Sequence, residues 1–310
     1  MNGDGEPLKV ACAKCGVHLD VSELEPFSEA ACPLCGTPFT VPMRFERYLL
    51  ESVCGDGSCT TIYRAYDPRL SRRVAVKILN ESVEAEREEF GQNFLAEAKL
   101  VSSLNHPGIL PVYDCGVCDG RQYLVSRYMA NGDLGRALKN KNLPDTKTLL
   151  GMFATVADAL EYSFRRAGVV HHDVKPANML TDGSEVRLGD FDLADVRADG
   201  DTSTPCAGWG TPAYVSPERL FGGGEDCRGD IFSLGASLYE LLSGKAPFGI
   251  EGDPEELYER RREMAFPALC NVRPDLPRQL SALVTGMLEF MDVNRPGYPE
   301  IIRVLNAAAK

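Results

Sequence analysis

The stretch His171-His172-Asp173-Val174-Lys175-Pro176-Ala177-Asn178, with Asp190-Phe191-Asp192 further on, decides how this chain is read. It offers a carboxylate, a lysine two residues on, an amide five residues on and, after room for a short hairpin, a second carboxylate. Phosphoryl transfer needs this donor set. Asp173 is able to orient a hydroxyl nucleophile, and Asn178 and Asp190 offer hard oxygen donors to Mg²⁺.

The pair of segments resembles the H-R-D-x-K-x-x-N and D-F-G motifs of eukaryotic-type serine/threonine protein kinases of the bacterial kind, and further landmarks of that family lie in order on both sides. Upstream, Tyr48 to Ala65 reads strand, turn, strand, with Gly55-Asp56-Gly57-Ser58-Cys59-Thr60 where the family has a glycine-rich loop over the ATP phosphates. Val74-Ala75-Val76-Lys77 follows as an alternating apolar strand. Residues 84–104 carry a helical pattern on which Glu97 is the matching partner for Lys77, and His106-Pro107-Gly108-Ile109 comes after the expected interval. Tyr123 to Met129 resembles the strand and hinge that meet adenine through the backbone, with Ser126 at the gatekeeper position.

Downstream, Leu149–Arg165 and Ile231–Leu242 are the clearest apolar helices. Gly210-Thr211-Pro212-Ala213-Tyr214 leads to Ser216-Pro217-Glu218, which resembles A-P-E. Asp230 is matched with the aspartate that braces the catalytic loop, and Arg295 with the arginine that pairs with Glu218. The resemblance runs over residues 45–308.

It implies an α+β, two-lobed kinase fold, with a small β-rich lobe over about 43–129 and a large helical lobe over about 130–310. It also implies transfer of the γ-phosphoryl group of Mg-ATP to serine or threonine hydroxyls of protein substrates. Asp173, Lys175, Asn178, Lys77 and Glu97 would then be catalytic, with Lys175 on the γ-phosphate. Gly55 and Gly57 would cover the phosphates, Ile62, Ala75 and Leu180 would sandwich adenine between the lobes, and Ser126, Met129 and Asp190 would complete the nucleotide site. Asn178 and Asp190 would hold Mg²⁺. Two other readings stay open: a pseudokinase scaffold that binds nucleotide and partner proteins, and a small-molecule phosphotransferase sharing the H-x-D-x-x-x-x-N loop.

Ahead of this domain, Cys12-Ala13-Lys14-Cys15-Gly16 and Cys32-Pro33-Leu34-Cys35-Gly36 form two C-x2-C-G knuckles sixteen residues apart, the spacing of a four-thiolate zinc ribbon. Gly16 and Gly36 suit the positive φ of so tight a turn, and Zn²⁺ stands in for a core too small to fold alone. Iron in a rubredoxin-like site and paired disulfides are the rival readings. Pro38 and Pro42 mark the boundary, giving a ribbon over 1–42 and a catalytic domain over 43–310 that is expected to fold without it. Cys115 and Cys118 make a third C-x2-C that lacks a second pair, and no metal is expected there.

Residues 1–42 carry Lys9 and Lys14 against Asp4, Glu6, Asp20, Glu23, Glu25 and Glu29, and the whole chain of 310 residues has a net charge of -12. Such a field repels phosphate backbones and anionic membranes, so no nucleic-acid or membrane partner is expected and the ribbon is read as docking another protein. Eleven cysteines, an odd number, and no apolar run long enough to cross a bilayer point to a cytoplasmic protein with reduced thiols.

Three residues depart from the family pattern. Thr60 replaces the third loop glycine, and Asp192 replaces the glycine of D-F-G, adding charge near the metal ligands. His172 replaces an arginine that would face an activation-segment phosphate, which argues against control through Thr202, Ser203 or Thr204.

Overall fold

The computed structural model describes residues 7–57, 59–80, 98–196, 211–220, 224–249 and 253–310. They fall into two compact units, one of residues up to 99 together with 111–128, the other of residues 100–110 together with 129–310.

The first unit begins with two three-residue hairpins, β1 (Lys9–Ala11) with β2 (His18–Asp20) and β3 (Glu29–Ala31) with β4 (Pro38–Thr40). Both turns are built alike. Cys12 N–H donates to Val17 O and Gly16 N–H to Cys12 O, each at 2.8 Å, and Cys32 and Gly36 repeat this at 2.9 and 2.8 Å. Gly16 and Gly36 sit at φ 73° and 71°, and a Cβ on either would meet nothing within 4 Å. Glycine is therefore required by the backbone angle rather than by space. Strands this short do not persist alone in water. Apolar help comes from buried Val21 and Val41 and from Phe27, which stacks on Tyr63 of the following sheet at 5.9 Å.

That sheet has six antiparallel strands in the order β5 (Met43–Phe45), β6 (Tyr48–Asp56), β7 (Thr60–Asp67), β8 (Arg72–Leu79), β10 (Arg121–Arg127), β9 (Val112–Cys118). Alternation along β8 turns Val74, Val76 and Ile78 into a core with Tyr48, Leu50, Ala65, Tyr123 and Val125. Ala75 and Lys77 consequently lie on the opposite face. Residues 98–102 are helical, and Ala98 packs on Leu124 from that face. The rest of the helix expected over 84–104, with Glu97, lies outside the described residues.

In the second unit the helix Thr146–Ala167 starts on Asp145, whose carboxylate accepts from Lys147 and Thr148 N–H, and stops on Gly168 at φ 67°. The helix Cys227–Ser243 is buried along most of its length. A Cβ on Gly235 would come within 2.7 Å of Met287 Cβ, so glycine there lets the helix Arg278–Met287 approach closely. Three small strands, β11 (Gly132–Asp133), β13 (Met179–Asp182) and β14 (Glu185–Leu188), form one sheet, and β12 (Val169–Val170) pairs with β15 (Asp195–Val196). Arg295 donates to both Glu218 oxygens at 2.7 and 2.8 Å, with its side chain fully buried. Its remaining donors reach the carbonyls of Arg228, Glu289 and Phe290.

Candidate active site

The hairpin β13–β14 explains how two distant residues meet. Register Met179↔Leu188 continues into a hydrogen bond from Gly189 N–H to Asn178 O at 3.0 Å, so Asn178 and Asp190 flank the open end of one ladder. Asn178 closes a short 3₁₀ turn that begins with Pro176. Its Nδ2 donates to Asp173 O at 2.8 Å and Asp173 Oδ2 at 3.1 Å, which leaves the amide oxygen as an acceptor for a cation. Lys175 Nζ lies 2.7 Å from Asp173 Oδ2 and donates to Thr211 Oγ1 at 2.9 Å. Asp173, Lys175 and Asn178 are thus brought together.

Buried groups hold this loop in shape. The two Asp230 oxygens accept from His171 N–H and His172 N–H, both at 2.8 Å. Burial pushes the Asp230 carboxyl up, and the neighbouring histidines oppose it. The His171 ring accepts from Asp173 N–H at 3.2 Å, lies 3.2 Å from Gly189 O and rests on Phe191 at 4.5 Å. Asp190 adopts φ 63°, whereas Asp192 is exposed and outside the left-handed region. The left-handed angle of this segment falls two residues earlier, on Asp190, so aspartate in place of glycine at position 192 carries no backbone strain.

His172 also differs from expectation. Its ring has no exposed side-chain surface and lies between Glu225, at 2.6 Å, and Asp195, at 2.9 Å. Arg219 Nη1 donates to His172 O at 2.6 Å and to Glu225 at 3.3 Å, and Ser216 Oγ donates to the other Glu225 oxygen. Burial works to raise the Glu225 carboxyl, but hydrogen bonding and charge from His172, with Arg219, hold it below the ordinary range. Glu225 and Arg219 were not foreseen, because no motif spacing marks them. The one local signal is Gly229, where a Cβ would collide with Glu225 Oε2.

In the first unit, register places Gly55, Ile62, Lys77 and Leu124 in one cross-strand row, and Ala75 beside Ser126 in the next. The glycine loop is tied rather than open. Gly57 N–H donates to Thr60 O at 2.9 Å, Asn80 Nδ2 to Gly57 O at 3.2 Å, and Thr61 Oγ1 reaches Asp56 and Asn80 at 2.9 and 2.8 Å. Thr60, in place of glycine, simply opens β7 opposite Leu79. Met129 and Leu180 are in the second unit, Met129 buried and Leu180 half-buried on β13. Glu97, Thr202, Ser203 and Thr204 lie outside the described residues.

The sulfurs of Cys12, Cys15, Cys32 and Cys35 all lie within 4.8 Å of one another, with Cys12–Cys35 at 3.6 Å and Cys15–Cys32 at 3.7 Å. Four thiolates about 2.3 Å from one zinc ion would be about 3.8 Å apart, so the cluster fits a zinc ribbon. Backbone N–H groups of Cys15 and Lys14 bring the Cys12 thiol down to about 6, favouring the thiolate a metal needs, whereas at Cys15 the lowering by Val17 N–H is outweighed by desolvation and the neighbouring thiols, which push it up to about 12. Among the described residues this is the only such cluster, and Cys115 and Cys118 are not part of one.

A strand-rich unit with a lysine row and a helical unit with this loop and hairpin define a protein kinase domain. The family model for the protein kinase domain matches residues 48–304. The chain belongs to that family. Over 252 residues it is 39% identical to a probable serine/threonine-protein kinase of Streptomyces coelicolor, covering 78% of this chain and 37% of that protein. It is 36% identical over 243 residues to the serine/threonine-protein kinase PknL of Mycobacterium tuberculosis, covering 77% and 59%, and 37% identical over 212 residues to PknJ of Mycobacterium bovis, covering 66% and 35%. The chain therefore spans less than two thirds of the length of these curated relatives.

Proposed function

We propose that the chain is a serine/threonine protein kinase that transfers the γ-phosphoryl group of Mg-ATP to hydroxyls of protein substrates. The observation that carries this reading is the convergence of Lys175 Nζ and Asn178 Nδ2 on Asp173 Oδ2, at 2.7 and 3.1 Å, with Lys175 also donating to the Thr211 hydroxyl at 2.9 Å. Asp173 orients the substrate hydroxyl and takes up its proton, while Lys175 lies beside it to meet the γ-phosphate. The oxygens of Asn178 and Asp190 would hold Mg²⁺, which would supply charge neutralisation on the phosphates. Lys77, with Glu97, would meet the α and β phosphates under Gly55 and Gly57. Ile62, Ala75 and Leu180 would contact adenine, Ser126 would lie behind it, and the backbone near Met129 would bond to it.

We read residues 1–42 as a zinc ribbon and 43–310 as the catalytic domain. Among the described residues no cysteine is in a disulfide, which suits a reducing cytoplasm. Among the described residues no helix is long and apolar enough to cross a membrane. The ribbon supplies none of the catalytic side chains, and its part in this reading is to dock an acidic extended segment of a partner protein. A groove of about 720 Å³ between ribbon and sheet is lined by Lys9, His18, Arg72 and Arg73, with Glu51 the one carboxylate, and β1 and β4 each pair on one side only. Binding of a poly-glutamate peptide that survives Arg72→Glu with Arg73→Glu would remove this assignment.

The kinase reading is tested by transfer of labelled phosphate from Mg-ATP to the chain itself and to generic serine/threonine substrates, with Asp173→Asn as control. Transfer that is lost in the control is expected. Nucleotide-dependent thermal stabilisation without transfer would select a pseudokinase, and phosphorylation of small hydroxylated compounds alone would select a small-molecule phosphotransferase.

A further inference from the structure

Each nitrogen of the buried His172 ring faces a carboxylate, Nδ1 at 2.6 Å from Glu225 Oε1 and Nε2 at 2.9 Å from Asp195 Oδ1. A neutral imidazole has one N–H and one bare lone pair, so it would set that lone pair against an anionic oxygen at one of these contacts. With both nitrogens protonated, both contacts become charge-assisted hydrogen bonds. The surrounding charges agree with a cation. Asp230 on the helix Cys227–Ser243 takes the His172 N–H, Asp173 follows in the loop, and Arg219 on the helix Pro217–Leu220 is shared between the His172 carbonyl and Glu225. Three cationic groups, His172, Arg219 and Lys175 on Asp173, then stand among the carboxylates of Asp173, Asp195, Glu225 and Asp230.

The clamp joins segments far apart in sequence. Asp195 lies on β15, which pairs with β12 through Val170↔Asp195, just ahead of the catalytic loop. The stretch from Asp190 to Asp195 is consequently held at one end by His171, through Gly189 and Phe191, and at the other by His172. We propose that His172 is a positioning residue, an imidazolium clamped between Glu225 and Asp195, and that this clamp holds the start of the activation segment on the catalytic loop in place of a phosphate. The inference rests on the kinase reading above. A phosphate on Thr202, Ser203 or Thr204 would find both ring nitrogens already committed. Loss of the ring proton at high pH would turn one tie into a lone-pair repulsion, so transfer falls as pH rises.

The test is a ¹⁵N-histidine titration of the full chain, which has four histidines, run beside a pH profile of transfer. Both His172 nitrogens are expected to be protonated at pH 7. Transfer should fall about tenfold one unit above the ring's midpoint. In Asp195→Asn the side-chain amide can donate to a neutral ring, so the midpoint should move down and the alkaline fall in transfer should disappear. His172→Arg, a fixed cation, should likewise flatten the alkaline limb. A bare ring nitrogen at pH 7, or identical transfer profiles in the natural chain and Asp195→Asn, would overturn the clamp. Absence of transfer at every pH, with the imidazolium signals present, would instead strike the kinase reading.

Discussion

The cysteine ribbon and the catalytic loop each gather several polar side chains at one point, and they do so by opposite means. In the ribbon every ligand comes from a turn whose shape is set within five residues, by the hydrogen bonds from Cys12, Gly16, Cys32 and Gly36 and by two positive-φ glycines. Around the catalytic loop the organising groups come from far along the chain, and Asp230, Glu225, Arg219 and, further out, Arg295 are buried, the last paired with a half-buried Glu218. Local turns survive a change elsewhere, whereas a buried charge network fails when one member is lost.

The sharpest way to break that comparison is Glu218→Ala. It leaves the Arg295 guanidinium buried without its carboxylate, and a loss of about 3–5 kcal/mol is expected. For a unit of this size that is a fall of about 10 °C in Tm, read from the thermal transition of the full chain. A loss below about 1 kcal/mol would mean that the carbonyls of Arg228, Glu289 and Phe290 satisfy Arg295 by themselves.

Metal removal probes the other side. Elemental analysis should find one zinc ion per chain, lost in Cys12→Ser with Cys32→Ser. Chelation should unfold hairpins too short to stand alone and release Phe27 from Tyr63, which lowers the stability of the sheet by about 1–2 kcal/mol. The transition of the helical unit should stay where it was. If it moved by as much as in Glu218→Ala, the ribbon would not be the local device described above.

What could be read from sequence follows the same division. The cysteine knuckles, the catalytic loop, both long helices and the Glu218–Arg295 pair were legible, because each depends on spacing or on a motif that carries its partner's address. Glu225 and Arg219 were not, since a buried partner fifty residues away leaves no period in the sequence. His172 was read as a missing cation facing the activation segment; in the fold its ring is already occupied by two carboxylates. Asp192 was read as added charge near the metal ligands; in the fold its side chain is exposed, and the left-handed residue of the segment is Asp190. In both cases the local residue was identified correctly and its surroundings, which are non-local, decided its role.

A smaller effect is expected from the activation-segment hydroxyls. With His172 committed to Glu225 and Asp195, replacing Thr202, Ser203 and Thr204 together by alanine should lower transfer only a few-fold. A loss beyond about a hundredfold, roughly 2.7 kcal/mol of barrier, would show that a loop phosphate is needed and that the buried network is incomplete without it.

The smallest effect on ATP itself is expected at Ser126, and here the first unit is tested at a single position. Ser126 is buried on β10 beside Ala75 on β8, so two small side chains share a cross-strand pair on the face that also carries Ile62 and Lys77. Larger side chains on either strand would fill that place. Among the described residues the Ser126 hydroxyl makes no hydrogen bond, which favours an open space behind adenine over a serine bonded to its neighbours. ATP analogues with a bulky apolar group on the adenine amino nitrogen should therefore be accepted by the natural chain and refused by Ser126→Phe, while both use plain ATP at similar rates because no transferred group is touched. Competition assays with the two proteins measure this directly. Equal exclusion of the bulky analogue by both would mean that the Ala75–Ser126 pair does not border the nucleotide, and the placement of adenine on this sheet face would have to be abandoned.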